Sequence, residues 1–249
     1  MPHRSPPRVF LEQLGRGLLN LIYPPACHLC DQGLTEQETA FCSTCCVALQ
    51  TDTPYLCQCC AATVGPYVAT DSCPRCQEER FRFASVLRLG RYDGPLREAV
   101  LRIKHHTHEG LAEALGRFYA EHHQTELLGL HVDAVVPMPL HWWRRWQRGY
   151  NQAESLALGL ARTLGLPCRT GWLWRRRNTP RQAVLSPTAR KENLKGAFAA
   201  RSSTLRGKHL LLVDDVLTTG TTANEAARTL LAAGAGKVTV AVLARGEGH

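Results

Sequence analysis

The stretch Lys208-His-Leu-Leu-Leu-Val-Asp-Asp-Val-Leu-Thr-Thr-Gly-Thr-Thr222 decides how the rest of the 249-residue chain is read. Leu210 to Val213 is an unbroken apolar run of strand length, the pattern of a central strand buried on both faces. Asp214 and Asp215 end the run. Val216 and Leu217 lead into a hydroxyl-rich loop around Gly220, and the Ala/Leu-rich segment from Ala223 to Ala233 has helical character. A strand, an anion-binding loop and a helix follow one another.

The atoms of such a unit suggest its chemistry. Backbone N–H groups at a helix start, with Thr hydroxyls beside them and a glycine that lets the chain approach closely, form a site for a phosphate. Two carboxylates repel that phosphate. They are suited instead to accept hydrogen bonds from neutral hydroxyls or to approach Mg²⁺ through water. A ribose 5-phosphate has both halves, an anion and a neighbouring diol. The alternative is an ordinary strand-to-helix turn with two solvated Asp. Val213 to Thr222 resembles the phosphoribosyl pyrophosphate (PRPP) loop of type I phosphoribosyltransferases. That resemblance implies Asp214 and Asp215 at the ribose hydroxyls, and Thr218, Thr219, Gly220, Thr221 and Thr222 at the 5-phosphate.

Composition sets the bounds. The chain is long enough for one sizeable domain and a small one, with 44% hydrophobic residues. Glu12 and Arg16 interrupt the apolar stretch Val9 to Tyr23, against a signal peptide, and no run approaches a membrane span. Phe10, Leu14, Leu18, Leu21 and Ile22 recur at helical spacing, so residues 1–23 are expected to be an amphipathic helix packed on its own protein or, alternatively, lying on a membrane surface. The formal charge of +9 is regional: between His141 and Leu210 there are 15 Lys/Arg against two acidic residues, while the remainder is net negative. Such a field attracts a pyrophosphate-bearing molecule or a nucleic-acid backbone, unless it is only a solubilising face.

Residues 24–80 are cysteine-rich. Cys27/Cys30, Cys42/Cys45, Cys57/Cys60 and Cys73/Cys76 are four C-x-x-C pairs, the spacing at which two thiolates reach one Zn²⁺. Two structural Cys₄ zinc sites are expected, with Cys46 and Cys59 as extras. Sequential connectivity is the simpler arrangement and a cross-braced one is the alternative; a disulfide framework is disfavoured by the lack of a secretory signal. A closed Cys₄ site has no open position for catalysis, so the segment is assigned to folding and partner contact.

Further along, Phe83–Tyr92 reads as a strand, Pro95–His105 as a helix, Leu111–Gln124 as a helix, His131–Pro137 as a strand, Gln152–Leu164 as a helix and Lys237–Ala244 as a strand. His105, His106 and His108 read as a solvated helix end or, less simply, a metal cluster. Between Met138 and Ala153 a cationic strand-end loop carries Arg144, Arg145 and Arg148, whose guanidiniums suit bidentate oxyanion contacts. Trp142, Trp143 and Trp146 could stack on bases, although aromatics beside a helix more often pack inward. Trp172 to Ala199 reads as a long, mobile, basic loop, about 175–196, with a short helix near Pro187 to Leu194, suited to close over a ligand.

Three motifs extend the likeness to nearly the whole chain: Pro24-Pro-x-Cys27-x-x-Cys30; Pro137-Met-Pro-Leu-x(3)-Arg144-x(3)-Arg148-Gly-Tyr-Asn-Gln-Ala153; and Gln182-Ala-x-Leu185-x(4)-Arg190-x-x-Asn193-Leu-x-Gly-Ala-Phe198. With the PRPP loop they resemble the ComF family of competence-associated proteins. The resemblance implies an α/β fold of type I phosphoribosyltransferase kind over residues 81–249, with a mostly parallel sheet flanked by helices and a zinc-binding region at 24–80. It implies a cytoplasmic bacterial setting and a part in handling single-stranded DNA, with a competence helicase or DNA-uptake channel components as partners. It places Lys104 near the pyrophosphate, with Arg144 and Arg148 as further cations, and Gln182, Arg190 and Asn193 on the mobile loop. PRPP with Mg²⁺ is the expected ligand. Three functions remain open at this point: PRPP binding coupled to DNA handling, phosphoribosyl transfer with release of pyrophosphate, and a zinc-organised scaffold that binds no PRPP.

Overall fold

A computed structural model describes residues 24–50, 52–67, 73–177, 194–201 and 204–246, together with the backbone but not the side chain of Arg144. The expected helix at 1–23 and the loop residues Gln182, Arg190 and Asn193 lie outside the described residues. The chain forms two compact units, Met1–Ala48 and Leu49–His249.

The first unit holds a cysteine knuckle in which Cys27 N–H donates to Gln32 O at 2.7 Å and Asp31 N–H to Cys27 O at 2.9 Å. Asp31 adopts a left-handed φ of 60° to make that turn. Helix α1 (Ser43–Leu49) begins just after Cys42 and carries Cys45. The second unit opens with the same device: Cys57 N–H donates to Ala62 O, Ala61 N–H donates to Cys57 O, and Ala61 has φ 50°. Cys76 lies on α2 (Pro74–Glu78), and Cys73 is its N-cap residue. Two knuckles of one design thus stand 30 residues apart in the sequence.

The remainder of the second unit is the α/β domain. In order it contains β1 (Ser85–Arg91), α3 (Gly94–Arg102), a short turn of 3₁₀ helix at His106–His108, α4 (Glu109–His122), α5 (Gln124–Gly129), β2 (Ala134–Pro137), α6 (Trp142–Arg148), α7 (Gln152–Leu164), β3 (Leu173–Arg175), β4 (Phe198–Ala200), β5 (His209–Leu217), α8 (Thr221–Ala232) and β6 (Lys237–Arg245). The sheet order is β1-β6-β5-β2 and every pairing in it is parallel. β5 is central, as its apolar run requires, with Leu210, Leu211, Leu212 and Val213 buried.

Alternation along β5 separates the two faces. Leu210 and Leu212 join a core with Ala223, Ala226, Ala227 and Leu230 of α8 and Phe198 of β4. On the other face α4 and α7 cross at unusually close range: a Cβ on Gly116 would lie 2.0 Å from Leu156 O, and one on Gly159 would lie 2.1 Å from Glu113 O. Only glycine permits that approach.

Four readings need correction. β5 does not end at the acids but runs to Leu217, with Asp214 paired to Val242 of β6. The cationic stretch after β2 is not a loop but α6, started by His141, whose Nδ1 accepts from Trp143 N–H, and stopped by Gly149 at φ 77°. Its tryptophans do not pack inward: Trp142 and Trp146 are 67% and 72% exposed. The stretch Trp172 to Ala199 is not loop throughout, because β3 and β4 pair antiparallel at its two ends.

Candidate functional site

The carboxyl ends of β2 and β5 open into a cavity of about 200 Å³ lined by Met138 to Leu140, Asn151 to Ala153, Lys104, Arg148, Arg175, Asp214, Asp215 and Thr222. Open parallel sheets place ligands at this end of their strands. Because side chains alternate along a strand, the two adjacent acids face different elements. Asp215 shares its face with Leu211 and Val213 and accepts from Gln152 Nε2, at the first turn of α7, at 3.4 Å. Lys104 Nζ approaches the same Asp215 Oδ2 at 3.7 Å.

A relay orients the polar groups. Arg148 donates to Gln152 Oε1 at 3.1 Å, which leaves the Gln152 amide N–H₂ to face Asp215. Asn151 caps α7: its Oδ1 accepts from Ala153 N–H at 3.2 Å while its Nδ2 donates to Met138 O at 3.1 Å, tying the helix start to the end of β2. Tyr150 donates its hydroxyl to Ile103 O, the residue before Lys104, and so fixes the backbone that presents the lysine. None of these three positioning interactions is readable from residue spacing alone, although Asn151 and Gln152 stand in the motif.

Asp214 is a perturbed acid. Burial first, and the neighbouring Asp215 charge second, hold its carboxyl well above the usual carboxylate range. Its Oδ1 accepts from Asp215 N–H at 2.9 Å. A neutral or cation-compensated ligand group is therefore favoured beside it.

The loop between β5 and α8 adjoins this cavity. Gly220 stands at φ 82° immediately before α8, a conformation suited to glycine, and the first amide of that helix, Thr221 N–H, donates to Thr219 Oγ1 at 3.5 Å. Thr219 and Thr221 place their hydroxyl oxygens 2.9 Å apart, so the loop is partly closed by its own side chains, while Thr222 reaches the cavity wall. Thr218 is exposed. The predicted residues Lys104, Arg148, Asp214, Asp215 and Thr222 are thus brought together around one cavity; Thr218, Thr219, Gly220 and Thr221 form the adjoining loop without lining it.

Each predicted zinc set is also assembled, with sequential connectivity. Cys27, Cys30, Cys42 and Cys45 form one cluster and Cys57, Cys60, Cys73 and Cys76 the other, with all sulfurs in each within 4.8 Å of one another. Sulfur separations of 3.6 Å for Cys30–Cys42, 3.8 Å for Cys57–Cys76 and 3.6 Å for Cys60–Cys73 match the edge of a tetrahedron with about 2.3 Å Zn–S bonds. They are far longer than the roughly 2.05 Å of a disulfide, and all eleven cysteines are free. Burial opposes a thiolate at Cys57, but backbone N–H groups of Cys60, Cys73 and Cys59 bring its pKa down to about 7, while burial pushes the Cys60 thiol up to about 11. The donor sets fit two structural zinc ions. Among the described residues His105, His106 and His108 join no such cluster.

Trp142, Trp143 and Trp146, with Arg145 and Gly149, border a broad open hollow of about 540 Å³. The indoles of Trp143 and Trp146 lie 5.3 Å apart at 34°. Among the described residues no helix is long and apolar enough to cross a membrane.

Fold and site define a phosphoribosyltransferase-type α/β domain preceded by a paired zinc-binding region. A Phosphoribosyl transferase domain model matches residues 149–248 and a Double zinc ribbon domain model matches residues 18–78. The DNA utilization protein YhgH of Escherichia coli (strain K12) is 33% identical over 228 residues, covering 90% of this chain and 99% of the relative. Competence protein F of Haemophilus influenzae is 33% identical over 179 residues, covering 70% and 78%, and Competence protein ComFC of Bacillus subtilis (strain 168) is 28% identical over 241 residues, covering 90% and 94%. The chain belongs to the ComF/YhgH family.

Proposed function

We propose that the protein binds PRPP in the cavity at the ends of β2 and β5 and acts in the handling of single-stranded DNA during DNA uptake or use, from the cytoplasm. The observation that carries the first half is the convergence of Asp214, Asp215, Lys104 and Arg148 on one cavity beside a glycine-started helix. In this reading Asp214 and Asp215 accept from the ribose hydroxyls, and the loop of Thr218 to Thr222 holds the 5-phosphate. Lys104 and Arg148, with Arg144, neutralise the pyrophosphate. Mg²⁺ would arrive with its own phosphate ligands and supply charge neutralisation at the pyrophosphate oxygens.

The second half rests on chemistry and kinship. Exposed indoles beside Arg145, in the region of concentrated positive charge, offer stacking and phosphate attraction to unpaired bases. The relatives' names, DNA utilization protein and competence protein, agree with it. Helicase or uptake-channel partners belong to the same reading.

One observation favours transfer as a second reading: Lys104, Arg148 and Arg175 share the cavity with the acids, where they would stabilise a leaving pyrophosphate. The sugar C1–oxygen bond would break with its electron pair leaving on pyrophosphate, an acceptor nitrogen would form the new bond, and that nitrogen would lose its proton. An acceptor screen for pyrophosphate release separates transfer from binding, and absence of any PRPP binding would leave the scaffold reading.

A further inference from the structure

We infer that the second cysteine cluster is a structural part of the phosphate loop, so that metal at Cys57, Cys60, Cys73 and Cys76 sets how well the loop holds a 5-phosphate. The inference rests on the PRPP reading for its ligand but not for its geometry.

The connection runs through two arginines. Arg245, at the end of β6, is 1% exposed. Its Nε donates to Cys60 O at 3.1 Å, and its terminal nitrogen donates to Leu217 O at 3.0 Å, to Gly246 O at 2.6 Å and to Thr218 O. One buried guanidinium therefore joins a ligand residue of the cluster to the last residue of β5 and the first residue of the loop. Arg75, between ligands Cys73 and Cys76, donates independently to Thr218 O at 3.1 Å. Phe81 closes the contact from the side. It packs against the buried cysteines and would meet a Cβ on Gly220 at 2.9 Å.

Charge gives this arrangement a dependence on metal. A buried guanidinium needs a compensating anion. Four thiolates on one Zn²⁺ carry a formal charge of about −2, and the bound ion fixes the Cys57–Cys60 and Cys73–Cys76 turns that present Cys60 O and Arg75. Arg88, beside Arg245, has its own carboxylate: it pairs with Asp52 at 2.5 Å and also donates to Ala61 O at 2.9 Å. Among the described residues no ion pair with a carboxylate is formed by Arg245. The metal-loaded cluster is the anion that stands beside it, and losing the metal releases the two turns through which Arg245 and Arg75 hold Leu217 and Thr218.

The test compares the full-length wild-type protein with Arg75→Ala and Cys76→Ser, and with Cys45→Ser as a matched loss of one metal site in the other unit. Two readouts are taken: hydrogen exchange of the 217–222 amides without ligand, and calorimetric affinity for ribose 5-phosphate against inorganic pyrophosphate. Faster loop exchange is expected in Arg75→Ala and Cys76→Ser but not in Cys45→Ser. Ribose 5-phosphate should weaken roughly 10-fold in both while pyrophosphate changes less than about twofold, the loss of one charge-assisted contact being on that scale. Should Cys76→Ser fail to fold, Arg75→Ala, which removes no metal ligand, decides. Unchanged loop exchange in folded Arg75→Ala overturns the inference. Wild-type protein that binds no ribose 5-phosphate overturns the PRPP reading instead, and the exchange arm still decides the coupling.

Discussion

Asp215 Oδ2 is shared between Lys104 Nζ at 3.7 Å and Gln152 Nε2 at 3.4 Å, so one carboxylate oxygen joins the segment after α3 to the start of α7 across the mouth of the cavity. A ligand entering here competes for the lysine. Lys104→Ala is expected to weaken pyrophosphate and PRPP roughly 10- to 100-fold, the scale of a hydrogen bond to a charged group, while ribose 5-phosphate changes little. Parallel calorimetric titrations with the three ligands check this.

Asp214 makes a second prediction, one of opposing signs. Its folded pKa is raised above the unfolded value, so its contribution to stability is fully present below the unfolded pKa and is lost as pH rises through the folded pKa. At neutral pH the acid is a liability. Asp214→Asn is therefore expected to raise the thermal midpoint near pH 7.5, with the gain shrinking toward pH 4, and to abolish ribose binding. A midpoint unchanged across that range contradicts the sign. Because ribose hydroxyls require the carboxylate form, ligand binding should also release protons, seen as a dependence of the calorimetric heat on buffer ionisation enthalpy.

The α4–α7 crossing predicts a purely structural defect. In Gly159→Ala the added methyl meets the Glu113 carbonyl, and backbone cannot yield as a flexible side chain would. Overpacking of this kind costs about 1–3 kcal/mol, or more where the helices must separate, and a chain of this size loses roughly 2–4 °C per kcal/mol. Thermal denaturation measures it.

For the tryptophan face, Trp142→Ala with Trp146→Ala should weaken a short single-stranded oligonucleotide by about 1–3 kcal/mol per base that loses its stacking partner, with little change in the salt slope. PRPP affinity should stay near wild type. Fluorescence anisotropy at several salt concentrations is the measurement, and equal binding by the double variant contradicts the stacking role.

How far these features could be read from the sequence depended on whether the signal was local. β5, α7 and α8 were legible because Leu210 to Val213 is continuously apolar and each helix has its period and start signal within one segment. The metal clusters were legible for the same reason, since C-x-x-C spacing is itself a ligand geometry. α6 is not legible as a helix because its residues are polar or aromatic with no apolar stripe; its start depends on the His141 side chain and its end on Gly149. β3 and β4 were missed because three-residue strands, paired across more than twenty residues, carry no periodicity. Arg88 and Arg245 carry a further signal in the sequence: an arginine inside an apolar strand requires buried partners, and both find them beside the second cluster.

The central claim is that a phosphorylated ribose is gripped between Asp214, Asp215 and the Thr218–Thr222 loop. Calorimetric titration of PRPP with Mg²⁺ into the wild-type protein and into Asp214→Asn with Asp215→Asn tests it most directly. Saturable binding by the wild type that disappears in a double variant still folded by circular dichroism is the predicted result. No binding by the wild type, or equal binding by both proteins, contradicts the account.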